Sequence, residues 1–411
     1  MASATHAESG KGGKRRRAKS TADNGAEYGE ERIAAVLARY RDQVSDALRR
    51  AVSAARTTEG APNKTQADAD PAIAELVATY YGQMDYHFGW RHADLSAAEA
   101  HPGKLLRPTL LLLGCELAAG RAGRDAAARA ALARRALAAA VAVEIVHNFS
   151  LVHDDIEDGD EQRRHRDTLW RVWGQPEAIN TGDGMFTLAR LTLLDLAGGG
   201  VAPAMVLALA RILDRTSLRL CEGQHLDMRF EGRHDVSDAM YLAMIERKTA
   251  ALMACALEMG ARLGDASDAL AGEMAAFGRA LGLGFQIRDD LLGIWAASAV
   301  LGKTEAGDLR RKKMSLPVIY ALQHAAPADR ARLLASYTGE GPATDEQVET
   351  ALGVLERAGA RAHVRAELHR HCADARAALR AAAGEAAEAR EPAALLGALV
   401  DFVAHDAMPD A

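Results

Sequence analysis

Aromatic side chains are scarce in this chain, at 5% of 411 residues. Cysteine is scarcer still. Cys115, Cys221, Cys255 and Cys372 are widely spaced and form no CxxC pair, which excludes a disulfide framework or a paired-cysteine zinc site. Each lies in a helical pattern, so buried, reduced thiols are expected, as suits a cytoplasmic protein. No apolar run reaches the ~18 residues of a membrane span, and no signal-peptide apolar region opens the sequence. The net charge of −6 excludes a broad nucleic-acid surface. Alternating apolar and polar positions, the mark of a half-buried strand, are missing, as are short-period repeats.

What is present favours helix. Apolar residues make up 49% of the chain, and Ala, Leu and Arg, all good helix formers, dominate. The length would permit two or three domains. The apolar pattern, however, runs unbroken from about residue 28 to 405, which predicts one all-helical domain over 27–408. Residues 1–26 are polar, with a basic run from Lys11 to Lys19, and read as a disordered tail. Helices are expected near 28–56, 71–88, 104–119, 124–158, 175–196, 202–231, 236–263, 266–296, 309–323, 345–375 and 375–405. His101-Pro102-Gly103, Gly198–Gly200 and Gly339–Pro342 supply breaks. The expected architecture is an all-α helical bundle.

Two acidic clusters close long apolar helices. The first is Asp154-Asp155-Ile156-Glu157-Asp158, followed by Arg163-Arg164; the second is Phe285-Gln286-Ile287-Arg288-Asp289-Asp290. Asp154 and Asp158, four apart, share one helix face and repel unless a cation bridges them. Carboxylates at that depth cost several kcal/mol if unpaired. Mg²⁺, which takes oxygen ligands and shares them with substrate phosphates, is the natural compensation. Arginine forks suit phosphate, and Lys303 and Lys312-Lys313 follow the second cluster as point charges. Two acidic rims beside basic residues describe a site for a Mg²⁺–diphosphate.

Further motifs stand in a fixed order: Gly103-Lys104-Leu-Leu-Arg107-Pro108, His147 seven residues before Asp154, Thr168-Leu-Trp170, Gly182-Asp183, Glu222-Gly-Gln224-x-x-Asp227, Lys248-Thr249, Gly302-Lys303, and Asp308-x₄-Lys313-Met-Ser-Leu-Pro317. With the acidic clusters, this set, from about residue 70 to 325, resembles the trans-isoprenyl diphosphate synthases, or polyprenyl synthetases. The resemblance implies the all-α isoprenoid synthase bundle around a central cavity, usually as a homodimer. An allylic diphosphate ionises there and isopentenyl diphosphate attacks the cation. By the same resemblance Asp154, Asp158 and Asp289 are Mg²⁺ ligands, with Asp155 and Asp290 in support of that metal set. Arg163, Lys248, Lys303 and Lys313 hold the allylic diphosphate. Lys104, Arg107, His147 and Arg164 hold isopentenyl diphosphate. Gln224, Asp227, Thr249 and Gln286 bring oxygen atoms near the cation and metals.

Three departures from the family pattern stand out. Gly293 replaces the usual last aspartate of the second motif. His165-Arg166-Asp167 replaces Gly-x-Pro. The residues after Ala407 offer no basic group to cap the isopentenyl diphosphate site. Growing chains are expected to stop on the helix below Asp154, where Val146, Phe149 and the small Ser150 would form the floor. That combination resembles geranylgeranyl more than farnesyl synthases. A class I terpene cyclase on the same fold is the nearest rival, and a non-catalytic partner subunit another. No reader motif accompanies the basic tail, so no nucleic acid is expected as a partner.

Overall fold

The computed structural model describes residues 32–56, 70–98, 103–296 and 306–405. The basic tail, Pro102 and Lys303 lie outside these residues. A helical segment over 32–38 turns at Arg39-Tyr40 into α1 (Arg41–Arg56). There follow α2 (Pro71–His87), α3 (Leu106–Arg121), α4 (Ala126–Arg135), α5 (Leu137–Glu157), α6 (Leu169–Trp173), α7 (Gln175–Leu194), α8 (Pro203–Phe230), α9 (Asp238–Ile245), α10 (Ala251–Leu263) and α11 (Asp268–Trp295). The chain closes with α12 (Gly307–Arg310), α13 (Leu316–His324), α14 (Pro327–Ser336), α15 (Asp345–Arg357), α16 (Ala360–Ala383) and α17 (Arg390–Ala404). The described β structure is slight: a hairpin of β1 (Gln162–Arg163) and β2 (Arg166–Asp167), antiparallel, and one isolated bridge, Arg91 to Ala97.

The architecture is the expected all-α bundle. α3, α5, α10 and α11 are heavily buried, with α7 against α5 and α16 along α11. Buried apolar side chains from Ile33 to Val403 form one contiguous cluster. The N-terminal turn is tied into it. Arg39 pairs with Glu116 of α3 and Glu391 of α17, each at 2.9 Å, and the Tyr40 hydroxyl donates to Glu116 at 2.5 Å. No single described helix is long and apolar enough to cross a membrane.

Several expected boundaries change. The helix expected over 124–158 is two helices bent by 48° at Ala136, whose ψ of −5° breaks the helical ladder without glycine or proline. The break expected at residue 375 is absent: Ala375 is buried inside α16. The breaks fall instead at Gly359 and Gly384, both with positive φ. α14, with proline in its first turn, was not foreseen. The helix expected over 236–263 holds a π-helical turn, Glu246–Ala250, between α9 and α10. All four cysteines are free, and three are buried; Cys221, contrary to expectation, is exposed.

Candidate active site

The ends of α5 and α11 open into a cavity of about 1290 Å³. One stripe of α5 lines it: Glu144, His147, Leu151, Asp154 and Asp158. These positions repeat at helical spacing, so the i, i+4 argument puts Asp154 and Asp158 on the same wall. Asp154 meets Lys248 at 3.1 Å and Arg163 at 3.6 Å. Asp158 is pushed up to about 7, first by burial and then by the charge on Asp154, against the pull of Lys248.

Asp155 stands apart from the metal set in which the sequence placed it. It is 2% exposed, lies off the cavity wall and grips Arg163 Nε at 2.6 Å. Asp290 is likewise off the wall and fully buried. It accepts from the Tyr241 hydroxyl, from Gln286 at 3.3 Å and from the Leu316 amide at 3.4 Å, locking α9, α11 and α13 together. Asp289 faces the cavity.

The π turn presents Lys248 and Thr249. One extra residue in the turn swings side chains out of helical register, and such turns recur at functional sites. Lys248 bonds Asp227 at 2.6 Å while also reaching Asp154, so it links α8 and α5. Gly223 makes this possible: a Cβ there would lie 2.3 Å from the Lys248 amide nitrogen. Thr249 donates to Gln286 Oε1 at 3.0 Å. The amide of Gln224 is buried, without a hydrogen-bond partner among the described residues, and is not on the cavity wall.

Lys104, Arg107, His147 and Arg164 all line the same cavity. Burial, with Arg107 and Arg164 nearby, keeps His147 well below the usual imidazole range, so it is neutral. Arg107 Nε is buried and unpartnered. Arg164 sits in the hairpin turn, its guanidinium against Gly103, where a Cβ would come within 2.8 Å of it. Lys313 also lines the wall; burial works against its charge, but Asp290 and Asp308 hold it above its ordinary value.

Several lining residues were missed. Glu144 is 2% exposed and pushed up to about 7 by burial, against Arg107, an Asn148 hydrogen bond of 2.9 Å and Arg164. Its place three residues before His147 was the available signal. Arg41, from a helix distant in sequence, had none. Gly293 gains a reason: a Cβ there would lie 2.3 Å from a carboxylate oxygen of Asp308, which takes up the space of the absent side chain.

Val146, Phe149 and Ser150 are not on this cavity's wall. Ser150 lies at the far edge of the α5 stripe and donates to the His147 carbonyl at 2.8 Å. Val146 is buried, and Phe149 turns to α7, its ring 5.0 Å from that of Phe186. The floor expected from these three is therefore not the floor of this cavity. Its apolar wall comes from Met253, Leu281, Phe285, Leu399, Phe402 and Val403.

No three described His, Cys, Asp or Glu side chains gather closely enough to cage an ion unaided. The donor set still fits Mg²⁺, which takes one or two carboxylates and leaves other positions to water and substrate phosphates. Asp154, Asp158 and Asp289 are the carboxylates available at the wall.

Residues 93–355 match the polyprenyl synthetase family. The farnesyl diphosphate synthase of Mycobacterium tuberculosis is 40% identical over 290 residues, 70% of this chain and 76% of the relative. The geranylgeranyl diphosphate synthase of the same species is 38% identical over 305 residues, 74% and 80%. Among solved structures, the polyprenyl synthetase of Streptomyces coelicolor A3(2) superposes with a TM-score of 0.74 at 36% identity, covering 90% of this chain and 99% of that one. With the family match spanning well over half the chain and the acidic, basic and apolar walls assembled in one cavity, the chain belongs to the polyprenyl synthetase family and is a trans-prenyltransferase.

Proposed function

We propose that this chain condenses isopentenyl diphosphate with an allylic diphosphate, with Mg²⁺ as cofactor, to a short-chain all-trans prenyl diphosphate. Geranylgeranyl diphosphate is the proposed product and farnesyl diphosphate the second choice. The observation that carries the activity is a single cavity lined by Asp154, Asp158 and Asp289, by Lys104, Arg107 and Arg164, and by apolar side chains. A terpene cyclase has no use for that second basic set, which weighs against the cyclase. The intact Asp154, Asp158, Arg163 and Lys248 weigh against a non-catalytic subunit.

Mg²⁺, when bound, neutralises charge on the leaving diphosphate. Asp154, Asp158 and Asp289 would hold it, with Asp155 and Asp290 fixing their surroundings. Lys248, Lys313 and Arg163 supply fixed positive charge toward the allylic diphosphate, electrostatic stabilisation that needs no reorganisation; Lys303 is proposed to join them on its sequence motif alone. Arg107, Arg164, Lys104 and neutral His147 orient isopentenyl diphosphate. Met253, Phe285 and Leu399 exclude water, which would otherwise quench the allylic cation to an alcohol. Thr249 and Gln286, both on the cavity wall and joined by a 3.0 Å hydrogen bond, would bring oxygen atoms near the reacting region. The released diphosphate is itself a base for the final proton.

The product proposal rests on the sequence resemblance at Phe149 and Ser150, which lie off the wall of the main cavity, and on relatives named for both products. A homodimer is proposed as well: α7 and α8 expose Ile179, Leu191, Leu194, Leu207 and Leu218, more aliphatic surface than a monomer needs to show. The deciding assay supplies Mg²⁺, labelled isopentenyl diphosphate and each allylic primer in turn, then sizes the dephosphorylated products. A single prenyl alcohol is expected. Hydrocarbon formed without isopentenyl diphosphate would establish the cyclase instead, and no turnover with any primer would favour the partner subunit.

A further inference from the structure

We propose that Arg166 is a positioning residue for the isopentenyl diphosphate pocket, fastening the hairpin that carries Arg164 to the chain segment leading into Lys104 and Arg107. This rests on the function proposed above. The turn of that hairpin is Arg164-His165, with φ of +53° and +61°. Two non-glycine residues in the left-handed region are strained, and such strain persists only where the surroundings over-determine it. Arg166 provides the outside hold. Its guanidinium donates to the Tyr86 carbonyl at 2.8 Å and to the Arg91 carbonyl at 2.5 Å, and lies 4.1 Å from the centre of the Tyr86 ring. The Tyr86 hydroxyl returns a bond to the Asp167 carbonyl at 2.6 Å. Arg91 is fixed in turn through Asp85 at 3.0 Å and the Leu95 carbonyl at 2.5 Å.

The two arginines ahead of Arg166 depend on it unequally. Arg163 is held independently by Asp155 and Asp154. Arg164 makes no hydrogen bond or ion pair among the described residues; the hairpin backbone and its packing against Gly103 set its place. Arg166 itself does not line the main cavity; with Arg163 and Arg164 it borders a neighbouring one of about 170 Å³. Loosening the hairpin therefore displaces Arg164 first, and with it the isopentenyl diphosphate end of the site. A lysine at 166 reaches one carbonyl in place of two, because only the arginine fork presents divergent donors.

The test is steady-state kinetics of wild type, Arg166→Ala, Arg166→Lys and Arg166→Ala combined with His165→Gly, with thermal unfolding of each. Arg166→Ala is expected to raise KM for isopentenyl diphosphate about tenfold, the worth of one misaligned charge-assisted hydrogen bond. KM for the allylic primer should stay within about twofold. Arg166→Lys should fall between, and His165→Gly should recover part of the loss by relieving the turn. A purely structural role would lower melting temperature and kcat while leaving KM unchanged, and that outcome overturns the proposal. The wild-type arm reads the function separately: no condensation there removes the proposed function and this inference with it.

Discussion

Glu144 carries the clearest consequence at the residue scale. Its carboxyl, pushed up to about 7 from an ordinary 4.5 chiefly by burial, stays mostly protonated in the folded protein below pH 7, where the unfolded chain is already ionised. A raised carboxyl stabilises the fold fully below its unfolded value, and that contribution is lost as pH rises through about 7. Glu144→Gln, which cannot ionise, should match wild type near pH 5. It should become the more stable by on the order of 2 kcal/mol at pH 8, read as a gap in melting temperature that opens between pH 5 and 8. Phe149→Ala tests the chain-stop argument. If the growing tail reaches the Phe149–Phe186 contact, the product lengthens by one or more five-carbon units on chromatography; an unchanged product places the floor on another helix. Asp154, Asp158 and the basic pairs were legible because spacing along one helix fixes their face. Arg41 was not, because it enters the site from a segment whose approach no local pattern encodes.

At the scale of single elements, the π turn sets the lysine. Gly223→Ala would force a methyl to within 2.3 Å of the Lys248 nitrogen unless α8 moves away. We expect retained helical circular dichroism with kcat down about a hundredfold, the cost of roughly an ångström of misplacement. The hairpin offers the opposite experiment. His165 stands at φ +61°, a conformation that costs a non-glycine residue about 1–2 kcal/mol. His165→Gly should raise stability by roughly 1 kcal/mol in urea titrations; a loss would mean that the His165 side chain earns more than its backbone strain. Element existence was readable from apolar spacing nearly throughout. The bend at Ala136 and the π turn were not, since neither carries the glycine or proline that marks a break in sequence. Gly359 and Gly384 did mark real breaks, but the Ala-rich run around residue 375 gave them no contrast.

For the whole molecule, the aliphatic surface of α7 and α8 predicts association. Leu191→Glu with Leu194→Glu, both exposed in the single chain, should halve the mass seen by light scattering without unfolding it. A wild type already at one chain mass would refute the homodimer. The all-α class followed from composition, yet the meeting of α1, α5, α11 and α17 around one room did not, because sequence order says little about which helix ends converge.

That convergence ties the site to both ends of the described chain. The wall is assembled from Ile33 and Leu37 near one end of the described chain and from Leu399, Phe402 and Val403 near the other. Without α17 both acidic motifs remain, but the apolar wall loses Leu399, Phe402 and Val403. Fraying of that one helix would open the cavity to water while leaving its charges in place.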